Sequence, residues 1–282
     1  WFDKFSVIIA DEVHTWDSKK MSQIMEKCTT VRYRFGFTGT LKESKSSELT
    51  LVGLFGPIVN VSTTRERMDA GDVAQLRING VRIAWPEPDR KLVARYVIKP
   101  DGKTRPMTYQ EELNHVIASE KRMDLVVDYV SSLSGNVLIL FNRNDDYGKP
   151  LFEKLRKRFG DRATMVYGAT SDEDRETVRR TMRERNDVVA LASLGTFSEG
   201  MSVNSIRHVL LVYPVKSRVR LLQSIGRGLR KEEGKTECVF HDFVDDLRYK
   251  RYDNFTWRHF INRLEIYEEE GFDYFLTDAI IV

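Results

Sequence analysis

Two arginines, Arg227 and Arg230, stand three positions apart in the stretch Leu222-Gln223-Ser224-Ile225-Gly226-Arg227-Gly228-Leu229-Arg230. A guanidinium is permanently charged and presents a planar fork of donors, so such a pair can neutralise the charge that spreads over phosphoryl oxygens during transfer. That chemistry needs a counterpart offering a metal site and a base. Asp11-Glu12-Val13-His14 has the right types: two adjacent carboxylates and an imidazole directly after the apolar run Phe5-Ser6-Val7-Ile8-Ile9-Ala10. Asp11 can hold a hydrated Mg2+ ion, and Glu12 can orient or deprotonate a water for attack on phosphate. Taken singly, each stretch has an ordinary reading too, as a solvated basic loop and as a strand running out into water.

The elements that must position these groups follow from hydrophobic periodicity. The run before Asp11 reads as a buried strand, and ligands in open α/β sheets bind at the carboxyl ends of strands. A helix is expected over residues 17–27, capped by Asp17 or Ser18. A second strand, Tyr33 to Phe37, ends in Thr38-Gly39-Thr40, whose hydroxyls can bond the neighbouring carboxylates or simply form a tight turn. Ile58-Val59-Asn60-Val61 predicts a short strand. Residues 64–70 predict a helix ended by Gly71, and residues 75–85 alternate as a strand. Between Pro86 and Pro106 lie four of the seven prolines, which predicts a surface excursion near a domain junction. Two helices are expected over residues 109–133, meeting near Ser119.

From Asn136 onward strand, polar exit and helix recur. Strands are expected at 137–141, 164–167, 188–192, 208–213 and 238–240, with helices at about 147–159 and 172–185 and another running into the arginine stretch. This rhythm predicts an α/β fold of parallel sheets with helices on both faces. The exit after residue 192 carries Ser193, Thr196, Ser198, Glu199 and Gly200. After Asp253 an aromatic stripe (Phe255, Trp257, Phe260, Leu264, Tyr267) predicts a helix packed back on the second domain, in preference to a nucleic-acid stacking surface.

The chain has 282 residues, 41% hydrophobic and 31% charged, with 45 Lys and Arg against 42 Asp and Glu. A formal charge of +3 predicts no partner by itself, so any nucleic-acid surface must be a local patch. Cys28 and Cys238 have no metal-ligand spacing, which predicts core thiols and a reducing, cytoplasmic compartment. No apolar run reaches the length of a membrane span.

The acidic strand end, the Thr38-Gly39-Thr40 turn, the exit at residues 196–202 and the segment 223–230 occur in one order. This order resembles the superfamily 2 (DExH-type) helicases, whose two RecA-like lobes close on ATP. The resemblance makes Asp11, Glu12 and His14 the acidic motif, Thr38-Gly39-Thr40 the hydroxyl motif with glycine in its middle, Thr196 to Ser202 the fifth motif, and Gln223, Gly226, Arg227 and Arg230 the sixth, of form QxxGRxxR. It implies that Asp11 binds Mg2+, Glu12 activates water, and Arg227 and Arg230 complete the site from the second lobe. Gln223, Glu199 and Gly200 would link the nucleotide to the strand-binding surface. Thr38, Thr40, Arg143, Thr196, Lys216 and Arg218 would contact nucleic-acid phosphates. A narrower likeness, to phage recombination helicases, rests on Gly53-Leu54-Phe55-Gly56, Thr108-Tyr109-Gln110-Glu111-Glu112, Val215-Lys216-Ser217-Arg218 and His241-Asp242-Phe243-Val244-Asp245-Asp246. It implies an ATP-dependent motor acting on branched DNA, or on RNA–DNA hybrids, in recombination and repair, within the host cytoplasm if phage-encoded. Two alternatives stay open: a non-catalytic nucleic-acid-binding piece, and a restriction-type translocase motor.

ATP binding in that superfamily begins with a phosphate loop, G-x-x-x-x-G-K-S/T. Gly102-Lys103-Thr104 and Gly234-Lys235-Thr236 are preceded, five positions before the glycine, by Val97 and Leu229, so neither makes the loop. The expectation is a first RecA-like lobe that is incomplete, represented by residues 1–63. A linker and second lobe are expected over 64–250, and a C-terminal helical extension over 251–282. The chain by itself is expected to hydrolyse little ATP.

Overall fold

The computed structural model describes all residues except 1–3, 17–18, 42–43, 98–103, 199–204, 216, 230–234 and 282. It divides into two compact units, residues 1–63 with 217–223, and residues 64–216 with 224–282.

In the first unit, β1 (Val7–Ala10) pairs in parallel with β2 (Tyr33–Gly36), with Ala10 opposite Gly36. Between them runs α1 (Lys19–Glu26), and α2 (Lys45–Phe55) follows. Ala10, Val13 and Leu51 form a small core against which Ile8, Trp16, Leu41 and Phe55 pack. Gly36 fits closely there: a Cβ would stand 3.0 Å from both Val13 Cγ1 and Phe55 Cγ, so those side chains would have to shift to admit one. The strand expected at Ile58-Val59-Asn60-Val61 does not form. These residues pair with no strand among the described ones and are exposed. Local β-propensity is not enough without a ladder partner.

The second unit carries α3 (Thr64–Asp69), β3 (Gln75–Ala84), α4 (Glu87–Ala94) and a small antiparallel pair, β4 (Tyr96–Val97) with β5 (Thr104–Arg105). Next come α5 (Tyr109–Ile117), α6 (Glu120–Ser131), β6 (Asn136–Phe141), α7 (Lys149–Phe159), β7 (Ala163–Val166), α8 (Asp172–Glu184), β8 (Val189–Ser193), α9 (Leu194–Ser198) and β9 (Ile206–Leu211). The chain closes with α10 (Arg218–Gly228), β10 (Glu237–Asp246), α11 (Phe255–Glu269) and β11 (Tyr274–Ile280). Seven strands form one sheet in the order β11-β3-β10-β9-β6-β8-β7, with every pairing parallel. All six positions of β6 are buried, its apolar run over residues 137–141 as expected in a covered parallel sheet and Asn136 through hydrogen bonds to Met182, Arg185 and Ser205.

Helix starts follow their caps. Thr108 and Glu111 form a reciprocal capping box at α5, and Ser119 accepts the Arg122 N–H at the start of α6, which sets the break between the two helices. Ser171 accepts the Asp174 N–H and donates back to its carboxylate at α8. The proline-rich stretch taken for a surface excursion contains α4, because Pro86 and Pro88 stand at the helix start, where a missing N–H costs nothing. Residues 251–282 are not helical throughout: α11 forms over the aromatic stripe, but the chain then turns at Gly271 (φ 68°) and adds β11 to the edge of the main sheet beside β3.

A line of neutral polar groups crosses that sheet. His208 Nε2 lies 3.1 Å from the Ser134 carbonyl, which can only accept, so Nε2 carries the proton and Nδ1 accepts. His241 Nε2, 3.0 Å from that Nδ1, must then donate, and its own Nδ1 accepts from Tyr129 Oη at 2.8 Å. Tyr129 Oη accepts from Asn79 Nδ2, and Asn79 Oδ1 accepts from the Thr277 hydroxyl. Protonating either imidazole puts two N–H groups face to face or leaves the tyrosine hydroxyl without an acceptor. Burial accordingly pushes His241 down to about 3, helped by the neighbouring His208; burial also lowers His208, with Arg207 acting in the same direction and Glu237 against it.

The unfolded chain therefore binds more protons than the folded one between about pH 3 and the ordinary value near 6.5. Stability is complete above 6.5 and declines as pH falls, by up to about 1.4 kcal/mol per pH unit for each histidine. Denaturant titrations at successive pH values should show this slope. His241→Gln keeps a donor and an acceptor but cannot titrate, so it should flatten the curve. An unchanged slope in the variant would remove His241 as its cause.

Candidate functional site

The acidic turn leaves the carboxyl end of β1. Glu12 sits in the left-handed region (φ 49°, ψ 42°), a conformation that costs a non-glycine residue about 1–3 kcal/mol and tends to persist at functional turns. Local bonds hold it there: the Asp11 carboxylate accepts the Glu12 N–H at 2.8 Å, and the Glu12 carbonyl accepts from both the N–H and the hydroxyl of Thr15. Main-chain bonds from Val13 to Phe37 and from Phe37 to Ala10 tie this turn to the end of β2.

Side chains complete the tie. The Thr38 hydroxyl donates to the Thr40 carbonyl at 2.9 Å, so toward His14 Nδ1, also 2.9 Å away, it can only accept. His14 Nδ1 therefore carries a proton, which it shares with Glu12 Oε2 at 3.1 Å. Of the two readings of the threonine turn, a bond to the carboxylates or an ordinary tight turn, neither describes it fully. The link instead runs through the imidazole, which is buried while the Glu12 carboxylate is more than half exposed. Thr38 supplies the acceptor and Thr40 its main chain.

Asp11 is exposed. Among the described residues no group of three or more His, Cys, Asp or Glu side chains can hold a metal ion. A single exposed carboxylate suits a hydrated Mg2+ that takes its remaining ligands from water and phosphate, and does not suit an all-protein cage.

The remaining sequence-derived residues fall in the second unit or on α10. Gln223, Gly226 and Arg227 lie on α10, with Gln223 half-buried and Gly226 exposed. Arg218 is its first residue. Arg230, Lys216, Glu199 and Gly200 lie outside the described residues. Thr196 is buried, where its hydroxyl accepts from Ser193 Oγ at 2.8 Å, so it holds the strand exit closed. Arg143 leaves β6 in the left-handed region (φ 60°), donates to Asn114 Oδ1 at 2.7 Å and faces Asp146 at 3.6 Å. These bonds occupy part of its guanidinium within the unit.

The sequence reading missed the buried ionic groups of β10 and the helices packed on it. Asp242 and Asp245 of β10 are fully buried, each gripped by a buried arginine, Arg263 from α11 and Arg122 from α6. Glu112 of α5, also fully buried, accepts the main-chain N–H groups of Phe255 and Thr256 and so caps α11 from another helix. The signal was present in the sequence as acidic residues interrupting an apolar strand pattern.

Residues 121–232 match the family described as helicase conserved C-terminal domain. The chain is 29% identical over 287 aligned residues to the ATP-dependent DNA helicase uvsW of Enterobacteria phage T4, covering 97% of this chain and 55% of that protein. The crystal structure of T4 UvsW superposes with a TM-score of 0.61 at 27% identity, covering all of this chain and 55% of the other. The ATP-dependent Type ISP restriction-modification enzyme LlaBIII bound to DNA matches at a TM-score of 0.64 with 11% identity, over 98% of this chain and 22% of that one, a likeness of fold. The chain thus spans about half the length of the phage relative. Its parallel sheet with helices on both faces is the fold of RecA-like helicase C-terminal lobes, and in motif order, in the matched segment 121–232 and in structure the chain is similar to superfamily 2 helicases such as UvsW.

Proposed function

We propose that this chain is part of an ATP-driven DNA helicase or translocase acting on branched recombination and replication intermediates. The observation that carries the reading is the wiring of the acidic turn: Glu12, held in a strained turn at a strand end, shares a proton of His14 with the Thr38 hydroxyl. Such a link lets the carboxylate that faces a nucleotide report to a second surface. Asp11 would hold Mg2+, which would supply charge stabilisation on the phosphate, Glu12 orients the attacking water, and Arg227 and Arg230 neutralise the departing γ-phosphate. Loss of that phosphate releases the arginines, and the lobes step along DNA. Thr38, Thr40, Lys216 and Arg218 contact phosphates of the strand, with Gln223, Glu199 and Gly200 relaying the nucleotide state. The name of the phage relative, an ATP-dependent DNA helicase, supports the assignment of substrate and fuel.

No G-x-x-x-x-G-K-S/T stretch occurs in the sequence, so the chain taken alone should hydrolyse little ATP, and activity is read on a longer protein that carries this sequence together with a phosphate loop. The test is DNA-stimulated hydrolysis and strand displacement on forked DNA by that longer protein. Glu12→Gln, which keeps the shape of the turn but removes the base, should lower turnover at least about a hundredfold with DNA binding retained. Turnover within a few-fold of wild type would overturn the role of Glu12.

A further inference from the structure

Arg263, in the middle of α11, uses only part of its guanidinium for charge pairing. Its Nε and Nη2 donate to the two oxygens of Asp242 at 2.7 and 2.8 Å, and Tyr267, one turn further along, donates its hydroxyl to Asp242 Oδ2 at 2.9 Å. The third arm, Nη1, donates to the main-chain carbonyl of Val215 at 2.9 Å. Burial works to lower the Arg263 pKa, but the Asp242 carboxylate more than offsets it, so the group stays charged. Buried ion pairs are seldom worth more to stability than well-packed apolar side chains, so net stability alone does not explain this one.

What distinguishes it is the carbonyl it holds. Val215 lies three residues before Arg218, the first residue of the helix that carries Gln223, Gly226 and Arg227. At the far end of that helix the carbonyl of Leu229, next to Arg230, accepts the N–H of Ala74 at 2.8 Å. The same device is repeated upstream, where Arg122, paired with Asp245, donates to the Val212 carbonyl at 2.9 Å. Both ends of the segment Val212–Val215 are thus held by buried arginines from different helices, each neutralised by an aspartate of β10.

We infer that Arg263 is a positioning residue, whose bond to the Val215 carbonyl fixes the entry of α10 and thereby the placement of Arg227. The inference rests on the arginine assignment proposed above. It makes the C-terminal helix a strut for the arginine helix.

The test uses Arg263→Lys in the longer, ATP-hydrolysing protein. A lysine keeps the charge beside Asp242 but cannot bond both carboxylate oxygens and the carbonyl. Because a buried lysine can fail to fold, the double variant Arg263→Gln with Asp242→Asn is made beside it, removing both charges and the charged donor to Val215. Leu155→Val, a core change on α7, serves as a control for lost stability. Hydrogen exchange should quicken over residues 217–229 in the Arg263 variants while β6 and β8 keep their protection. The kcat for DNA-stimulated hydrolysis should fall about ten- to a hundredfold, the scale on which a displaced group remote from the chemistry slows a reaction, with KM for ATP little changed. Unchanged exchange over 217–229, or a fall in kcat no larger than in the Leu155→Val control, overturns the inference. If Arg227→Ala turns over normally, the arginine assignment itself fails and takes the strut with it, an outcome that no Arg263 variant can mimic.

Discussion

Arg227→Ala in the longer protein is expected to lower DNA-stimulated ATP hydrolysis by about a thousandfold or more, the range in which arginine fingers act on phosphoryl transfer, while DNA binding stays within a few-fold of wild type. The argument starts from the donor geometry. The γ-phosphate departs with its charge spread over three oxygens, and a planar fork can bond two of them at once where a point charge bonds one. Arg227→Lys should therefore recover little of the loss. The helix that carries Arg227 is held at both flanks by main-chain carbonyls, so truncating the side chain leaves its backbone in place. Single-turnover hydrolysis and salt-dependent DNA binding measured on the same preparations separate the two effects. Normal turnover in Arg227→Ala, or a parallel fall in DNA affinity, would refute a role confined to the phosphate.

The contrast between the two halves of the proposed site explains how far the sequence could be read. The positions of β1, β2, β6 and β9 were legible, and motif residues fall at their exits, but β1, read as a buried strand, leaves Val7 and Ile9 exposed because no further strand or helix among the described residues covers that face. What depended on distant partners was not. The strand expected to end near Phe240 continues to Asp246, because His241, Asp242 and Asp245 are buried on partners from β9, α6 and α11 that no local window contains. Acidic residues that look like a strand end become its interior once each is neutralised. Likewise β11 follows a helix by a glycine turn, and only the free edge of β3 makes it a strand. The bond between His14 and Thr38 joins residues 24 positions apart, so the spacing suggested a relay and left its carrier open.

The second large effect is on stability, and it tests that same buried chemistry. Arg122 is fully buried on α6 and bonds the Asp245 carboxylate through Nε and Nη2 at 2.7 and 3.0 Å, Tyr147 Oη at 2.8 Å and the Val212 carbonyl at 2.9 Å. Trp85 Nε1 donates to the same carboxylate at 3.0 Å. Burial acts to lower the Arg122 pKa, yet the Asp245 charge outweighs it and the net shift is upward, so the guanidinium stays charged. Arg122→Ala leaves a buried carboxylate with one indole N–H and strands a carbonyl and a phenol, which should cost about 3–5 kcal/mol. Arg122→Met combined with Asp245→Asn removes both charges, retains an acceptor for Trp85 and fills most of the space, so it should recover the larger part of that loss. Guanidinium unfolding followed by tryptophan fluorescence reads both directly. A loss below about 1 kcal/mol in Arg122→Ala, or no recovery in the double variant, would mean that Arg122 acts through packing and that its charge pairing with Asp245 does not hold the sheet to α6.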